Sequence, residues 1–310
     1  VTGAQRIVSL LPSATDIVFA LGLQDRLVGV SHECELPAGI ALPALTAARI
    51  DSTRTSAEID AQMADVGQGG HGYYVVHEDR LAELEPDLVL TQDLCEVCAV
   101  PLGQVKQAVG KCRVQATVFA LNPRTLDDVL DELVRVGDAA GAGGAGRGAA
   151  ARLRSRIETV RDGAQRARRT APAPRTVVIE WLEPLMVAGN WTPELVRIAG
   201  GRAGLAAAGE HSPWTNWDRI REFSPEVILV APCGFRLEQT RRELPQLTAR
   251  DGFAQLPAAV NGQCFSIDGN TYFNRPGPLL VDSLEIVAGC LWPQVFPQFA
   301  SHVGVERFGV

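Results

Sequence analysis

Short apolar runs, bounded by proline, glycine and small polar residues, alternate along this chain with segments of helical period. Residues 7–11 form the first run, the length of a buried strand, and Pro12 ends it. Ser13 and Thr15 stand where a helix should start, Asp16 suits its positive end, and Gly22 is a C-terminal stop. Residues 27–30 are the next strand, which runs into the polar loop Ser31-His32-Glu33-Cys34-Glu35. Beyond it the pattern predicts a short helix over 56–63, with no strand signal between 49 and 70, and a glycine-rich loop at 67–72. A helix over 80–85 stopped by Pro86, a buried strand over 87–91, a loop over 92–98 and a strand over 114–121 follow.

The period changes at Asn122, which can cap a helix with Pro123 at its first position. Helical spacing then persists to Pro172, enough for a rod of about 65 Å, with 141–148 as the place where it would kink. After Pro174 the strand–helix alternation restarts. Strands are expected over 175–181, 227–230 and 264–267, and helices over 193–199, 219–223, 237–247 and 278–291. Arg80 through Leu90 matches Arg219 through Leu229 at a constant offset of 139, each reading helix, proline, acid, apolar strand. The expectation is an α/β chain of two Rossmann-like lobes, 1–121 and 173–310, joined by one long helix over 122–172, with a ligand cleft between the lobes.

Composition adds three constraints. The 310 residues are 46% hydrophobic and 21% charged, ordinary for a globular chain. The net charge of −7 argues against nucleic acid as partner, and only the 122–174 segment is net positive, at +3. Six residues precede the first strand, so no signal peptide is evident. That fits a processed periplasmic or cell-surface chain or, alternatively, a cytoplasmic protein, and the odd count of seven cysteines leans toward a reducing compartment.

In open α/β sheets ligands bind beyond the carboxyl ends of the strands. Ser13, Thr15 and His32 fall there, as do Gln92 and Asp93, and these are candidate ligand contacts. His32, Cys34, Cys95 and Cys98 could converge as four soft ligands for zinc or another thiophilic metal; loop thiols without a metal are the plainer alternative. All five tryptophans lie in the second lobe, and Trp181, Trp191 and Trp214, with His211, sit at strand ends or before helices. Aromatic faces there suit a large flat ligand such as a corrin or porphyrin. Tyr272, Phe273 and Arg275 follow the last strand, the guanidinium being suited to an amide, carboxylate or phosphate. The eight arginines of 147–169 read as a solvated helix face, and Gly141-x-Gly143-x-x-Gly146 lacks the preceding strand that a dinucleotide loop needs. No nucleophile elbow, zinc-protease or phosphate-loop motif is present, so no enzyme is expected.

Four stretches in order, Ser9 to Thr15, Gly29 to Cys34, Glu85-Pro86-Asp87-Leu88-Val89, and Asp268 to Pro278, resemble the cobalamin-type, helical-backbone (class III) substrate-binding proteins of ABC importers. The resemblance spans nearly the whole chain. It implies a monomer that needs no cofactor, holds cobalamin or a related corrinoid between its lobes and delivers it to a permease. Trp181, Trp214 and Phe273 would line the cleft with Arg275 nearby, and the 92–98 loop would add the first lobe's contacts. Glu96 and Glu238 would dock on the permease. The His32, Cys34, Cys95 and Cys98 group departs from the family pattern. It leaves open another metal chelate (haem or a siderophore), a bare metal ion, or an intracellular corrinoid chaperone or thiol-dependent enzyme.

Overall fold

The computed structural model describes residues 3–68, 72–94 and 99–309. The chain forms two compact units: one from the described parts of Val1–Asp51, Ala61–Pro123 and Asp127–Leu153, the other from Ser52–Asp60, Arg124–Leu126 and the described part of Arg154–Val310.

The first unit runs β1 (Ile7–Ser9), α1 (Pro12–Ala20), β2 (Leu27–Val30), β3 (Thr46–Ala48), α2 (Ser56–Gln68, whose first turn belongs to the other unit), β4 (Tyr74–Val76), α3 (Glu78–Leu84), β5 (Leu88–Gln92), α4 (Leu102–Lys111), β6 (Thr117–Leu121) and α5 (Leu126–Ala139). Its main sheet has the order β2-β1-β5-β6, all parallel, so every strand ends on the same edge. Val8, Leu10, Leu45, Leu81, Val89 and Val105 pack as one core on it. The run at 7–11 gives only three strand residues because Pro12 takes the first position of α1 and Leu11 its N-cap. Ser13 and Thr15 therefore make no cap. The antiparallel ribbon β3–β4 and the helix α4 had no counterpart in the sequence pattern.

The second unit follows with β7 (Arg175–Trp181), β8 (Met186–Val187), α7 (Thr192–Ile198), β9 (Arg202–Ala203), α8 (Trp217–Phe223), β10 (Val227–Val230), α9 (Leu237–Thr248), α10 (Pro257–Val260), β11 (Cys264–Ile267), α11 (Leu280–Leu291) and β12 (Val305–Arg307), after the helix α6 (Gly143–Arg168). Its sheet order is β12-β11-β10-β7-β8, with β9 also on β7; β11, β10, β7 and β9 are parallel and the outer β12 and β8 antiparallel. Val177, Ile179, Ile228, Val230, Leu247 and Phe253 centre its core, each worth about 1.5–3 kcal/mol of burial. Burial pushes the thiols of Cys264 and Cys290 up to about 12. Arg156 of α6 donates to both oxygens of Glu285 and to Asp282 on α11 at 2.7–3.0 Å, which raises the guanidinium pKa, the Glu285 bond contributing most.

One local device occurs in both units. Glu85 and Ser224 end α3 and α8 in the left-handed region, at φ 40° and 53°, and Pro86 and Pro225 follow. Arg6 then donates its guanidinium to Leu84 O, and Arg175 to Ser224 O. The Asp87 and Glu226 carboxylates accept the Arg6 and Arg175 backbone N–H groups. The 139-residue correspondence is thus a repeated solution for closing a helix and starting a parallel strand.

The helical stretch expected over 122–172 is not one rod. Gly141, at φ +68°, turns the chain between α5 and α6. The two helices pack closely enough that a Cβ on Gly146 would lie 2.6 Å from Leu133 O. A single long helix does carry the chain across the unit boundary, but it is α6 alone: 26 residues, about 39 Å, with that boundary after Leu153.

Glu132 on α5 is 3% exposed. Its Oε1 accepts from Asn122 N at 3.2 Å and Arg135 Nη1 at 2.8 Å. Burial outweighs both and raises its pKa. The folded chain therefore holds this proton more tightly than the unfolded one. The contribution to stability is greatest in acid and is lost as pH rises through the raised pKa. Glu132→Gln keeps an acceptor for Asn122 N–H and abolishes that titration. Urea unfolding at pH 5 and pH 8 should show the variant gaining on the parent as pH rises; parallel pH profiles would count against this.

Candidate functional site

The parallel strands of each unit deliver their loops to a carboxyl edge, and most sequence-predicted contacts lie on these two edges. In the first unit, Thr15 Oγ1 at the start of α1 lies 2.8 Å from Ser9 Oγ and 3.1 Å from Cys34 Sγ. Beyond β2, Ser31 Oγ lies 2.9 Å from Thr46 Oγ1, which also accepts from His32 N and lies 2.7 Å from His32 Nδ1. His32 Nε2 is 3.1 Å from Glu33 Oε1. Both imidazole nitrogens are thus turned toward protein oxygens. Ser13 Oγ is buried with no hydrogen-bond partner. Gln92, at the end of β5, is 6% exposed and accepts the Leu94 N–H, while Asp93 is exposed and bonds through its backbone to Leu121 O.

The structure brings Thr15 and Cys34 together, and His32 with Ser31, Thr46 and Glu33. Cys95 and Cys98, the other half of the expected metal set, and Glu96 lie outside the described residues. Among the described residues no three His, Cys, Asp or Glu side chains gather to hold a metal ion.

In the second unit the edge is more apolar. Trp181 ends β7 and pairs with Met186 of β8, and Met186 pairs in turn with Trp214 through an antiparallel bridge. Residues directly opposite in an antiparallel pair project on the same face. Trp181, Met186 and Trp214 are thus backbone neighbours in one row at the carboxyl end of β7, past a register irregularity between Ile179 and Trp181. Trp214 is 57% exposed, the largest aromatic surface among the described residues. Trp181 is half-buried, with Phe235 at a ring separation of 5.2 Å. His211 is exposed, three residues before Trp214.

The loop after β11 is built into the unit. Asn274 Nδ2 donates to Gly269 O at 2.8 Å and reaches Pro232 O and Ala231 O at 3.4 and 3.5 Å, tying this loop to the one after β10. Trp191 is 6% exposed and Phe273 2%, and the Trp191 indole N–H donates to Phe273 O at 2.8 Å. These two rings, expected as ligand contacts, are interior, and the Trp191–Phe273 bond holds the loop. Tyr272 is half-buried, edge-on to His302 at 4.8 Å, and its phenol pKa is raised by burial and then by Asp268 and Asp282. Arg275 is 5% exposed, so its charge is held inside the fold.

Met186, Phe235 and Thr46 were not singled out from the sequence. Each owes its place to a long-range pairing or packing that no local spacing announces.

A family model described as periplasmic binding protein matches residues 7–271. The chain is 23% identical over 288 residues to a vitamin B12-binding protein of Vibrio cholerae, covering 92% of this chain and 88% of the relative. Among solved structures, a periplasmic heme binding protein from Pseudomonas aeruginosa superposes with a TM-score of 0.73 at 21% identity, covering 99% of both chains. The periplasmic vitamin B12 binding protein of Vibrio cholerae does so with a TM-score of 0.65 at 21% identity, covering 93% of this chain and 97% of that one. With two sheets centred on parallel strands and a family match over most of its length, this chain belongs to the periplasmic binding protein family.

Proposed function

We propose that this protein is the extracytoplasmic substrate-binding component of an ABC importer and that its ligand is a corrinoid of the cobalamin class. No bond is made or broken; the protein captures the ligand and hands it to a permease. The observation that carries this reading is the row Trp181, Met186, Trp214 at the carboxyl end of β7, with Trp214 57% exposed. A flat, rigid, mostly apolar macrocycle gains most from such a strip, because its own surface loses water without loss of internal freedom. Glu238, in the first turn of α9, is 72% exposed and paired with Arg242 at 2.6 Å, open enough to meet a permease.

Haem is the second reading, favoured by the heme-binding neighbour at a TM-score of 0.73. Titration of purified protein with cyanocobalamin, cobinamide and haemin, followed by calorimetry and visible spectra, separates the two. One-to-one binding of the corrinoids is expected. Binding of haemin alone would transfer the assignment to haem, and binding of none would overturn the tetrapyrrole reading.

A further inference from the structure

One concavity of the second unit is not on a carboxyl edge. An open cavity of about 710 Å³ lies in the second unit, lined by residues of the last turns of α6, the end of α7, and Gly200 and Gly201. Gly201 immediately precedes Arg202, which pairs with Arg175, the first residue of β7. The cavity is thus on the amino edge of this sheet, the opposite end from Trp181 and Trp214.

Its charge is one-sided. Arg161, Arg168 and Arg169 come from the α6 side and Arg197 from α7; Glu194 is the single carboxylate in the lining, and its Oε2 already accepts the Leu126 N–H at 2.9 Å. Arg168 donates Nη1 to Ala171 O at 3.1 Å, and Arg197 donates Nε to Pro193 O at 3.2 Å. Those bonds orient the two side chains, and a guanidinium carries five N–H donors, so each has further donors to offer. Arg161 pairs with Glu158 of its own helix. The volume falls in the range of small-molecule sites. Guanidinium forks contributed by two elements match phosphate or carboxylate groups. The protein as a whole carries −7, so general charge attraction does not account for an anion here.

We infer that this cavity is a second binding site, for a compact solute bearing two or more phosphate or carboxylate groups. It is independent of the tetrapyrrole edge. Calorimetric titration of the full chain with tripolyphosphate and with citrate, at 20 and 200 mM chloride, tests it. One-to-one binding that weakens at the higher salt is expected from one or both solutes, and which of them binds identifies the anion group. The Arg168→Gln/Arg197→Gln double variant should bind at least tenfold more weakly. Arg169→Gln, a single change at an exposed position, should weaken binding severalfold, while Arg154→Gln, on α6 outside the cavity, should bind as the parent does. Corrinoid and haemin titrations of the same variants should be unchanged, which separates this site from the proposed ligand edge. Absence of one-to-one binding by the parent, or equal weakening by Arg154→Gln, overturns the inference. So does binding confined to phosphatidylglycerol vesicles, which would make the patch a lipid contact.

Discussion

Trp214→Ala is expected to weaken binding of the macrocycle about 30-fold. Covering on the order of 80 Å² of indole face stabilises a complex by about 2 kcal/mol, and geometry between aromatic faces adds a little more. The side chain is 57% exposed, so its removal opens no cavity. The melting temperature should stay within about 2 °C of the parent. Trp214→Phe should recover most of the affinity. Trp181→Ala is a useful contrast: Trp181 packs on Phe235 at 5.2 Å, so affinity and stability should fall together. Titration and thermal melts of the three variants check this. Unaltered affinity in Trp214→Ala would remove the ligand from this edge.

Gly269→Ala should damage the fold and the site at once. A Cβ there would lie 2.2 Å from Pro232 O, 2.8 Å from Ala231 C and 2.9 Å from Ala231 O. These are main-chain atoms of the loop after β10, and Asn274 holds the two loops together through their carbonyls. No flexible side chain can give way, so the cost belongs near the upper end for overpacking, about 3 kcal/mol. That corresponds to a fall in melting temperature of roughly 6–12 °C. The loop after β10 also carries Phe235, which packs on Trp181 at 5.2 Å, so ligand affinity should drop even where the variant remains folded. Thermal melts together with a titration below the new midpoint measure both, and an unchanged midpoint would show that the loops can separate freely.

How far the sequence could be read depended on whether an element was specified locally. The buried strands Leu88–Gln92, Arg175–Trp181, Val227–Val230 and Cys264–Ile267 carry their own apolar runs and end within a residue of expectation. Thr46–Ala48 has no such run and is a strand only because Tyr74–Val76 pairs with it. Met186–Val187 is two residues long and owes its existence to β7. The site divides in the same way. The carboxyl-edge positions of Thr15, His32, Trp181 and Trp214 follow from strand ends. That Trp191 and Phe273 face inward while Trp214 faces out depends on tertiary packing, and residue type is the same for all of them as large aromatics. The break at Gly141 was foreshadowed by glycine content, but the return of α6 along α5 needed the close approach at Gly146 to be seen.

Cys264 and Cys290 sit in the second unit with their thiols held protonated, at pKa values of about 12. A thiolate is the species that reacts, so neither sulfur can be alkylated or exchanged while the core stays closed. Each becomes reactive only in molecules whose β11 or α11 has opened. The rate at which a disulfide reagent consumes these two thiols under native conditions is therefore a clock for rare opening. Read with and without ligand, that clock would report how much binding at the carboxyl edge slows the breathing of the sheet beneath it.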